Sequence, residues 1–242
     1  MSKAPHERYK PKLFLGSSHA WALERLGDLP RTSRILDIGS GSGIVGQELR
    51  RAGFEDLAAI EIDAAAREHV RPVYRRIESD LDSFGDEHFD AILLLDVLEH
   101  IAAPEAFLDT VARRVAPGGR IYISVPNVAH WSVRFPLLFG FFEYTDRGIL
   151  DRTHLQLFTR RRLTRMIERH PSLRTLDFSG TISPAQFVLP PWATENPLFE
   201  ACSRVRLFVA QTLPGIAAYQ HLACVEVVSE SPRESADSTV QK

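Results

Sequence analysis

The residues best suited to bind a ligand lie in one short stretch, residues 34–46. An apolar run that contains Asp37 gives way to glycines at alternate positions, and the apolar pattern then resumes with the spacing of a helix face. This order predicts a strand, a tight turn and a helix. Glycine lets a turn take positive φ or bring its backbone against a ligand, and the new helix points its free N–H groups at the turn. The stretch is therefore a candidate ligand site.

Two kinds of ligand fit this turn. Residues 41–46 match G-x-G-x-x-G, the pattern that places a dinucleotide pyrophosphate on a helix N-terminus. Residues 37–43 match D-x-G-x-G-x-G, in which Asp37 comes just before Gly39, Gly41 and Gly43. A carboxylate repels a pyrophosphate at short range but attracts a cofactor with an ammonium group and a sulfonium. The second pattern is therefore preferred, and a glycine turn that binds nothing is the bland alternative.

Further acids follow the predicted strands. Glu61 ends an apolar run about twenty residues beyond the glycines, where α/β nucleotide folds place a carboxylate that binds the ribose hydroxyls. Asp80 and Leu81 follow a third, alternating run, where Asp80 either binds a ligand or caps its own turn. Asp96 follows residues 89–95, which have the length and apolar character of a strand buried on both faces.

The segments around the fourth and fifth strands are more specific than the glycine turn. Residues 89–100 contain F-D-x-I-x-x-x-D-V-L-E-H, and residues 115–120 contain a P-G-G turn. Together with the glycine turn and Glu61, they resemble the class I S-adenosylmethionine-dependent methyltransferases. A dinucleotide fold explains neither of these two segments. The resemblance implies S-adenosyl-L-methionine as cofactor, with Asp80 accepting the adenine amino group. The cofactor-binding residues it implies are Asp37, Gly39, Gly41, Gly43, Glu61, Asp80, Leu81 and Asp96.

Strand and helix patterns alternate through five cycles, which predicts a parallel sheet with ligands outside the carboxyl ends of its strands. The resemblance adds two final strands, paired antiparallel at the sheet edge. We therefore expect an α/β, doubly wound, seven-stranded and mostly parallel sheet with an antiparallel last strand, the Rossmann-like methyltransferase fold. Residues 1–230 should form a single domain with acceptor-site insertions at about residues 127–158 and 182–214. Residues 231–242 are expected to be a disordered tail.

The segment after the fifth strand departs from this alternation. Residues 131–144 are densely aromatic, and they either pack in the core, contact another subunit or line an acceptor pocket. Residues 151–159 contain D-R-T-H-L-x-x-F-T. That string resembles a segment bordering the acceptor site in a bacterial small-molecule subgroup, many of whose members are linked to cell-envelope sugar or lipid modification. A salt-bridged structural loop would have the same composition.

Transfer of a methyl group to a hydroxyl needs a base. The candidates are His154, His130 and His100, in that order, because His154 lies in the segment that the subgroup places at the acceptor. A structural role is the alternative for each. The predicted function is methyl transfer to a hydroxyl or amine of a small or lipid-linked acceptor, with sugars among the candidates. The alternatives are a non-catalytic cofactor-binding or partner-binding module of the same fold and an NAD-dependent oxidoreductase.

The composition limits other classes of function. With 242 residues and a net charge of −2, the chain has a globular composition without the basic field that a nucleic acid requires. Cys202 and Cys224 have no metal-ligand spacing, so no metal is predicted. The sequence has neither a secretion signal nor an apolar run long enough for a bilayer, which predicts a cytoplasmic protein. Peripheral membrane contact and the oligomeric state stay open.

Overall fold

A computed structural model describes residues 13–185 and 189–228, and the tail predicted at residues 231–242 lies outside them. Seven strands form one sheet in the order β3-β2-β1-β4-β5-β7-β6. Strands β1 to β5 are parallel, whereas β7 is antiparallel to both β5 and β6. The predicted fold class is confirmed. The strands are β1 (Ile35–Ile38), β2 (Leu57–Ile60), β3 (Arg76–Glu78), β4 (Phe89–Leu95), β5 (Val115–Pro126), β6 (Leu173–Gly180) and β7 (Gln220–Val227).

Local sequence signals set where the helices begin. The side chains of Ser17, Asp63, Thr159 and Asn196 each accept a hydrogen bond from a backbone N–H in the first turn that follows. The helices are α1 (Ser18–Leu26), α2 (Ile44–Arg51), α3 (Ala64–Val70), α4 (Pro104–Ala112), α5 (Trp131–Leu138), α6 (Arg160–Glu168), α7 (Pro191–Thr194), α8 (Pro197–Thr212) and α9 (Pro214–Ala217), with single 3-10 turns at Asp82–Phe84 and Leu98–His100. None of the helices in the described ranges has the length and apolar character needed to cross a bilayer.

Both faces of the sheet are buried, which explains the continuous apolar run of β4. Alternate β4 side chains belong to two different core clusters, with Ile92 and Leu94 on one face and Ala91 and Leu93 on the other. Neighbouring parallel strands are in register at their carboxyl ends, where Ile38 of β1 pairs with Ile60 of β2 and Leu94 of β4. The residues that follow these strands therefore meet at one edge of the sheet.

The third strand is shorter than its alternating sequence predicts. Residues 73–78 have a strand pattern, but only Arg76–Glu78 pair with β2. Tyr74 is instead buried against the glycine turn, where its hydroxyl bonds Asp37. A residue that turns into the core to reach a partner on another element cannot also extend the edge of the sheet, so a tertiary contact overrides the local pattern.

The aromatic side chains of residues 131–144 do not pack in the core. The side chains of Trp131, Phe135 and Phe139 are exposed, and the rings of Phe135 and Phe139 contact each other with centroids 5.4 Å apart. Core packing was one of the three expectations for this segment, and it is wrong. The division of the chain into one domain with two insertions remains a prediction.

Candidate cofactor and acceptor site

The three alternating glycines all have left-handed backbone conformations. Gly39, Gly41 and Gly43 have φ of 74°, 54° and 71°, which side chains rarely adopt. A Cβ at Gly43 would lie 2.8 Å from Val70, so this glycine allows α2 to pack against α3. A Cβ at Gly41 would meet only the Gly39 carbonyl oxygen, at 3.9 Å. Gly41 therefore faces open space that a ligand can enter.

Glu61 connects the end of β2 to the glycine turn. Its carboxylate accepts hydrogen bonds from the N–H of Gly41 at 2.8 Å and from the N–H of Asp63 at 2.9 Å, one on each oxygen. Each carboxylate oxygen has a second lone pair, so Glu61 can accept two further donors. A ribose diol presents two such donors, and the geometry fits the role predicted for Glu61.

Asp37 is a buried acid directly below the turn. Its carboxylate accepts a hydrogen bond of 2.5 Å from the hydroxyl of Tyr74. Burial raises the pKa of Asp37 to about 6, the Tyr74 hydrogen bond opposes this shift, and the nearby charge of Glu61 adds to it. Two acids beside open space form a negative site that suits a cationic ligand.

Asp96 leaves the end of β4 in a strained conformation. Its φ of 60° is the only positive value for a non-glycine residue in the described ranges. Ser124 donates a hydrogen bond of 2.7 Å to its carboxylate, and the side-chain amide of Gln220 donates another. Such strain clusters at functional sites because the surrounding contacts must hold it in place. The position agrees with the predicted cofactor contact.

Asp80 and Leu81 are placed differently. Asp80 accepts hydrogen bonds from the N–H and hydroxyl of Ser83, both at 2.8 Å, and from the hydroxyl of Ser79 at 3.0 Å. The Ser83 side-chain bond is the main reason why its pKa is lowered. Asp80 thus caps its own turn, as the alternative for this residue predicted, while Leu81 is buried in the core. Their cofactor contacts remain predictions.

Two of the three candidate histidines meet beside Glu99. His100 and His154 donate from Nδ1 to the carbonyl oxygens of Thr153, at 3.1 Å, and Ile149, at 3.0 Å. A carbonyl only accepts, so the proton is on Nδ1 and each Nε2 keeps its lone pair. The ring centroids are 4.9 Å apart. Burial is the main cause of the lowered pKa of His154, which favours a neutral ring able to take a proton.

His130 has a structural position. It is buried, caps the N-terminus of α5 by accepting the N–H of Ser132, and packs against Trp131 and Tyr219. Burial and the charge of Arg206 lower its pKa to about 4. Its geometry supports the structural alternative rather than a role as base.

Some residues of the site have little or no signal in the sequence. Glu99 stands within the D-V-L-E-H string, and one potential ligand atom from each of Glu99, His100 and His154 lies within 4.8 Å of the others. These residue types also bind divalent cations. The expectation of no metal rested on cysteine spacing, which does not address a cluster assembled by the fold. Tyr74 and Gln220 act across long sequence separations and have no local signature.

A family profile described as methyltransferase domain matches residues 16–170, more than half of the chain. The chain belongs to this methyltransferase family. It is a class I S-adenosylmethionine-dependent methyltransferase, and S-adenosyl-L-methionine is its cofactor. The expected enzyme class is confirmed, and the oxidoreductase alternative is set aside.

Curated relatives resemble part of the chain. A ubiquinone biosynthesis O-methyltransferase from Xylella fastidiosa strain 9a5c is 32% identical over 158 residues, covering 61% of this chain and 63% of the relative. One from Sinorhizobium medicae is 33% identical over 102 residues, covering 39% of this chain and 41% of the relative. The chain therefore spans between two fifths and two thirds of the length of these relatives.

Solved structures share the fold at low sequence identity. A putative sarcosine dimethylglycine methyltransferase from Galdieria sulphuraria has a TM-score of 0.60 at 18% identity, covering 96% of this chain and 92% of that one. A magnesium protoporphyrin IX methyltransferase from Synechocystis PCC 6803, solved with bound SAH, has a TM-score of 0.59 at 14% identity, covering 87% of this chain and 82% of that one.

The open space at Gly41 generates a prediction. Gly41→Val should abolish cofactor binding while the sheet stays folded, because the branched side chain enters the space of the ligand and meets little protein. Titration calorimetry with S-adenosylhomocysteine and circular dichroism measure the two effects. Gly118→Val is the matched control, since Gly118 also has positive φ with no atom within 4 Å of an added Cβ. Global unfolding of the Gly41 variant alone would assign this glycine to the fold.

The bonds of Glu61 generate a second prediction. Glu61→Ala should weaken cofactor binding by about 1.5 to 3 kcal/mol, because hydrogen bonds to a charged group lie in that range. It should also lower the melting temperature, since two backbone N–H groups lose their acceptor. Asp63→Ala removes only the α3 cap and keeps the N–H that Glu61 accepts, so it should destabilise the fold without changing the affinity. Unchanged titration heats for Glu61→Ala would refute the assignment.

Proposed function

We propose that this methyltransferase transfers a methyl group to a hydroxyl of a small amphipathic or lipid-linked acceptor. The observation that carries the proposal is the pairing of two histidines beside Glu99: His100 follows Asp96 at the end of β4, and His154 comes from the later D-R-T-H segment. The cofactor supplies an electrophilic methyl group, and the residues of the chain hold the acceptor in line with it. A hydroxyl is a weak nucleophile until it loses its proton, so a basic nitrogen near the acceptor favours an oxygen over an amine.

The carboxyl edge of the sheet supplies the cofactor contacts in this proposal. Gly41 provides the open backbone, Glu61 accepts the ribose hydroxyls, and Asp37 offers a negative charge to the ammonium group. Asp96 leaves the end of β4 toward the predicted acceptor segment, held by Ser124 and Gln220. In this proposal the reacting methyl group lies on the same side of the sheet as the histidines, because ligands of parallel sheets bind outside the carboxyl ends of the strands.

His154 is the proposed base. Its Nδ1–H donates to the carbonyl oxygen of Ile149, so Nε2 is the nitrogen that takes the proton from the hydroxyl of the methyl acceptor. His100, fixed in the same way by Thr153, packs its ring edge-on against His154 and holds the orientation of that ring. The string D-R-T-H supplies this geometry: Asp151 accepts hydrogen bonds from the N–H and hydroxyl of Thr153, which shapes the loop that presents His154.

The apolar surface of α5 supports an acceptor with an apolar part. Phe135 and Leu138 have 62% and 79% of their surface exposed, which is unusual for large apolar side chains on one short helix. A groove of about 480 Å³ runs along this helix. It is lined by Trp131, Arg134, Phe135, Leu137, Leu138 and Ile216. An apolar groove with one arginine suits an alkyl chain or a lipid tail near a polar head group.

The relatives support oxygen as the methyl acceptor. The two curated relatives described above are named ubiquinone biosynthesis O-methyltransferases. An amphipathic hydroxylated aromatic and a lipid-linked sugar both satisfy the proposal, and mass spectrometry of small molecules that copurify with the protein distinguishes them.

The alternative function is a non-catalytic module of the same fold that binds cofactor or a partner. A module that binds only a partner tolerates loss of the residues that hold the cofactor, whereas here the glycine turn and Glu61 have intact geometry. Methyl transfer to any copurified acceptor would exclude this alternative, and tight cofactor binding without transfer to any of them would favour it.

The proposed base generates a prediction. His154→Ala should cut turnover by roughly 10² to 10⁴ with cofactor affinity intact, and the turnover of the parent should rise with pH through an imidazole range that burial shifts below 6.5. His88→Ala, an exposed histidine ahead of β4, is the control. Full turnover in His154→Ala, or a joint loss of cofactor binding, would remove His154 from the mechanism. Loss of turnover on adding a chelator would assign the proton removal to a bound cation.

The apolar groove generates another prediction. The double change Phe135→Ser and Leu138→Ser should raise KM at least tenfold for a dihydroxybenzene that bears a long alkyl chain. Tenfold corresponds to about 1.4 kcal/mol, and full burial of each such side chain would contribute about 1.5 to 3 kcal/mol. The KM for the same ring without the chain should stay unchanged. Trp192→Ser is the control, since Trp192 is an exposed aromatic residue on α7. Equal effects on both substrates would contradict a binding role for the groove.

A further inference from the structure

Tyr74 is a buried titratable residue that the proposed function leaves without a role. Its ring belongs to the core cluster on the α2 side of the sheet, and its hydroxyl donates to the carboxylate of Asp37 at 2.5 Å. Tyrosine hydroxyls at this depth usually have a partner, so the bond alone is ordinary. What distinguishes this one is that the acceptor is the acid at the base of the cofactor turn.

The same hydroxyl also contacts the far side of the turn. The phenol ring and its oxygen lie against Gly46, and the backbone of Gly46 opposes the other influences on the pKa of Tyr74. Gly46 lies in the first turn of α2, where backbone N–H groups have no partner within the helix. A Cβ at Gly46 would lie 2.4 Å from the Tyr74 oxygen, so glycine is required there for the ring to fit. The Tyr74 hydroxyl therefore contacts both sides of the glycine turn: Asp37, which precedes the glycines, and α2, which follows them.

We propose that Tyr74 is a positioning residue for the cofactor, which holds the Asp37 carboxylate and the start of α2 in the arrangement that the bound cofactor requires. The proposal deepens the proposed function and rests on the assignment of Asp37 to the ammonium group. Tyr74 itself does not reach the ligand space, because its hydroxyl is already occupied by Asp37 and Gly46. It acts through the orientation and ionisation of Asp37.

The ionisation of Asp37 provides a readout that a purely structural role would not change. Within the described residues, the groups that act on this acid are Tyr74, which favours the ionised form, and Glu61, which opposes it. Cofactor with a positive charge binds the ionised form, so affinity should fall as pH drops through about 6. Loss of the Tyr74 hydroxyl removes the bond that favours ionisation. The fall in affinity should then begin at a higher pH.

The test is titration calorimetry of the whole protein with S-adenosylhomocysteine at several values between about pH 5 and pH 8. Tyr74→Phe should weaken binding roughly 3- to 10-fold at neutral pH, as expected for one hydrogen bond, and should move the midpoint of the pH dependence upward by about one unit. Tyr122→Phe is the matched control. Tyr122 is a fully buried tyrosine of the same core cluster on β5, and its hydroxyl is not bonded to Asp37.

The outcomes separate this proposal from the assignment on which it rests. Asp37→Asn should bind weakly with a flat pH dependence over the same range. If it binds as the parent does, the assignment of Asp37 is wrong. If Asp37→Asn behaves as expected but Tyr74→Phe keeps the midpoint of the parent, or loses affinity equally at every pH, then Tyr74 only fills the core and the proposal is overturned.

Discussion

The carboxylate of Glu61 makes the interaction on which the site depends. It bonds the N–H of Gly41 and that of Asp63, and so it ties β2 both to the turn after β1 and to the start of α3. Glycine has little conformational preference, so a turn of alternating glycines can adopt many conformations. A charged acceptor that binds the middle of the turn selects one of them. The hydrogen bonds of Glu61 thus hold the flexible glycine turn in one conformation.

This arrangement places two acids close together in a poorly solvated region. Burial raises the pKa of Asp37 from 3.8, its ordinary value, to about 6 in the folded protein. The contribution of Asp37 to the free energy of unfolding is therefore fully present below pH 3.8, and it is lost as the pH rises through about 6. The difference corresponds to about 3 kcal/mol of unfolding free energy at neutral pH. A cationic ligand offsets this cost. The cofactor-free protein therefore carries an electrostatic cost at its binding site that the bound cofactor removes. This removal contributes to the affinity separately from any direct contact.

The sequence predicted the sheet and the strand-end positions of its acids better than the meeting of the histidines, for a physical reason. Glu61 and Asp96 end apolar runs, and in a parallel sheet the end of a strand determines a position in space. His100 and His154 come from segments far apart, and only the loop geometry around Thr153 and Ile149 brings their rings together. Tyr74 was predicted to lie in a strand because local alternation cannot register a bond to Asp37 from another element.

The antiparallel strand β7 connects Asp96 to the region of the predicted acceptor insertion. Gln220, its first residue, donates to Asp96 from its side chain, while its backbone N–H donates to the hydroxyl of Thr181 at 3.0 Å, just beyond β6. The next residue, Ile182, packs with Leu207 of α8 and Ala210 in a small cluster away from the main core. The strained backbone of Asp96 is thus braced by a strand whose other contacts lead into the predicted acceptor insertion. A displacement of α8 would act on Thr181 and Gln220 through the apolar packing of Ile182, and from Gln220 a hydrogen bond leads to Asp96.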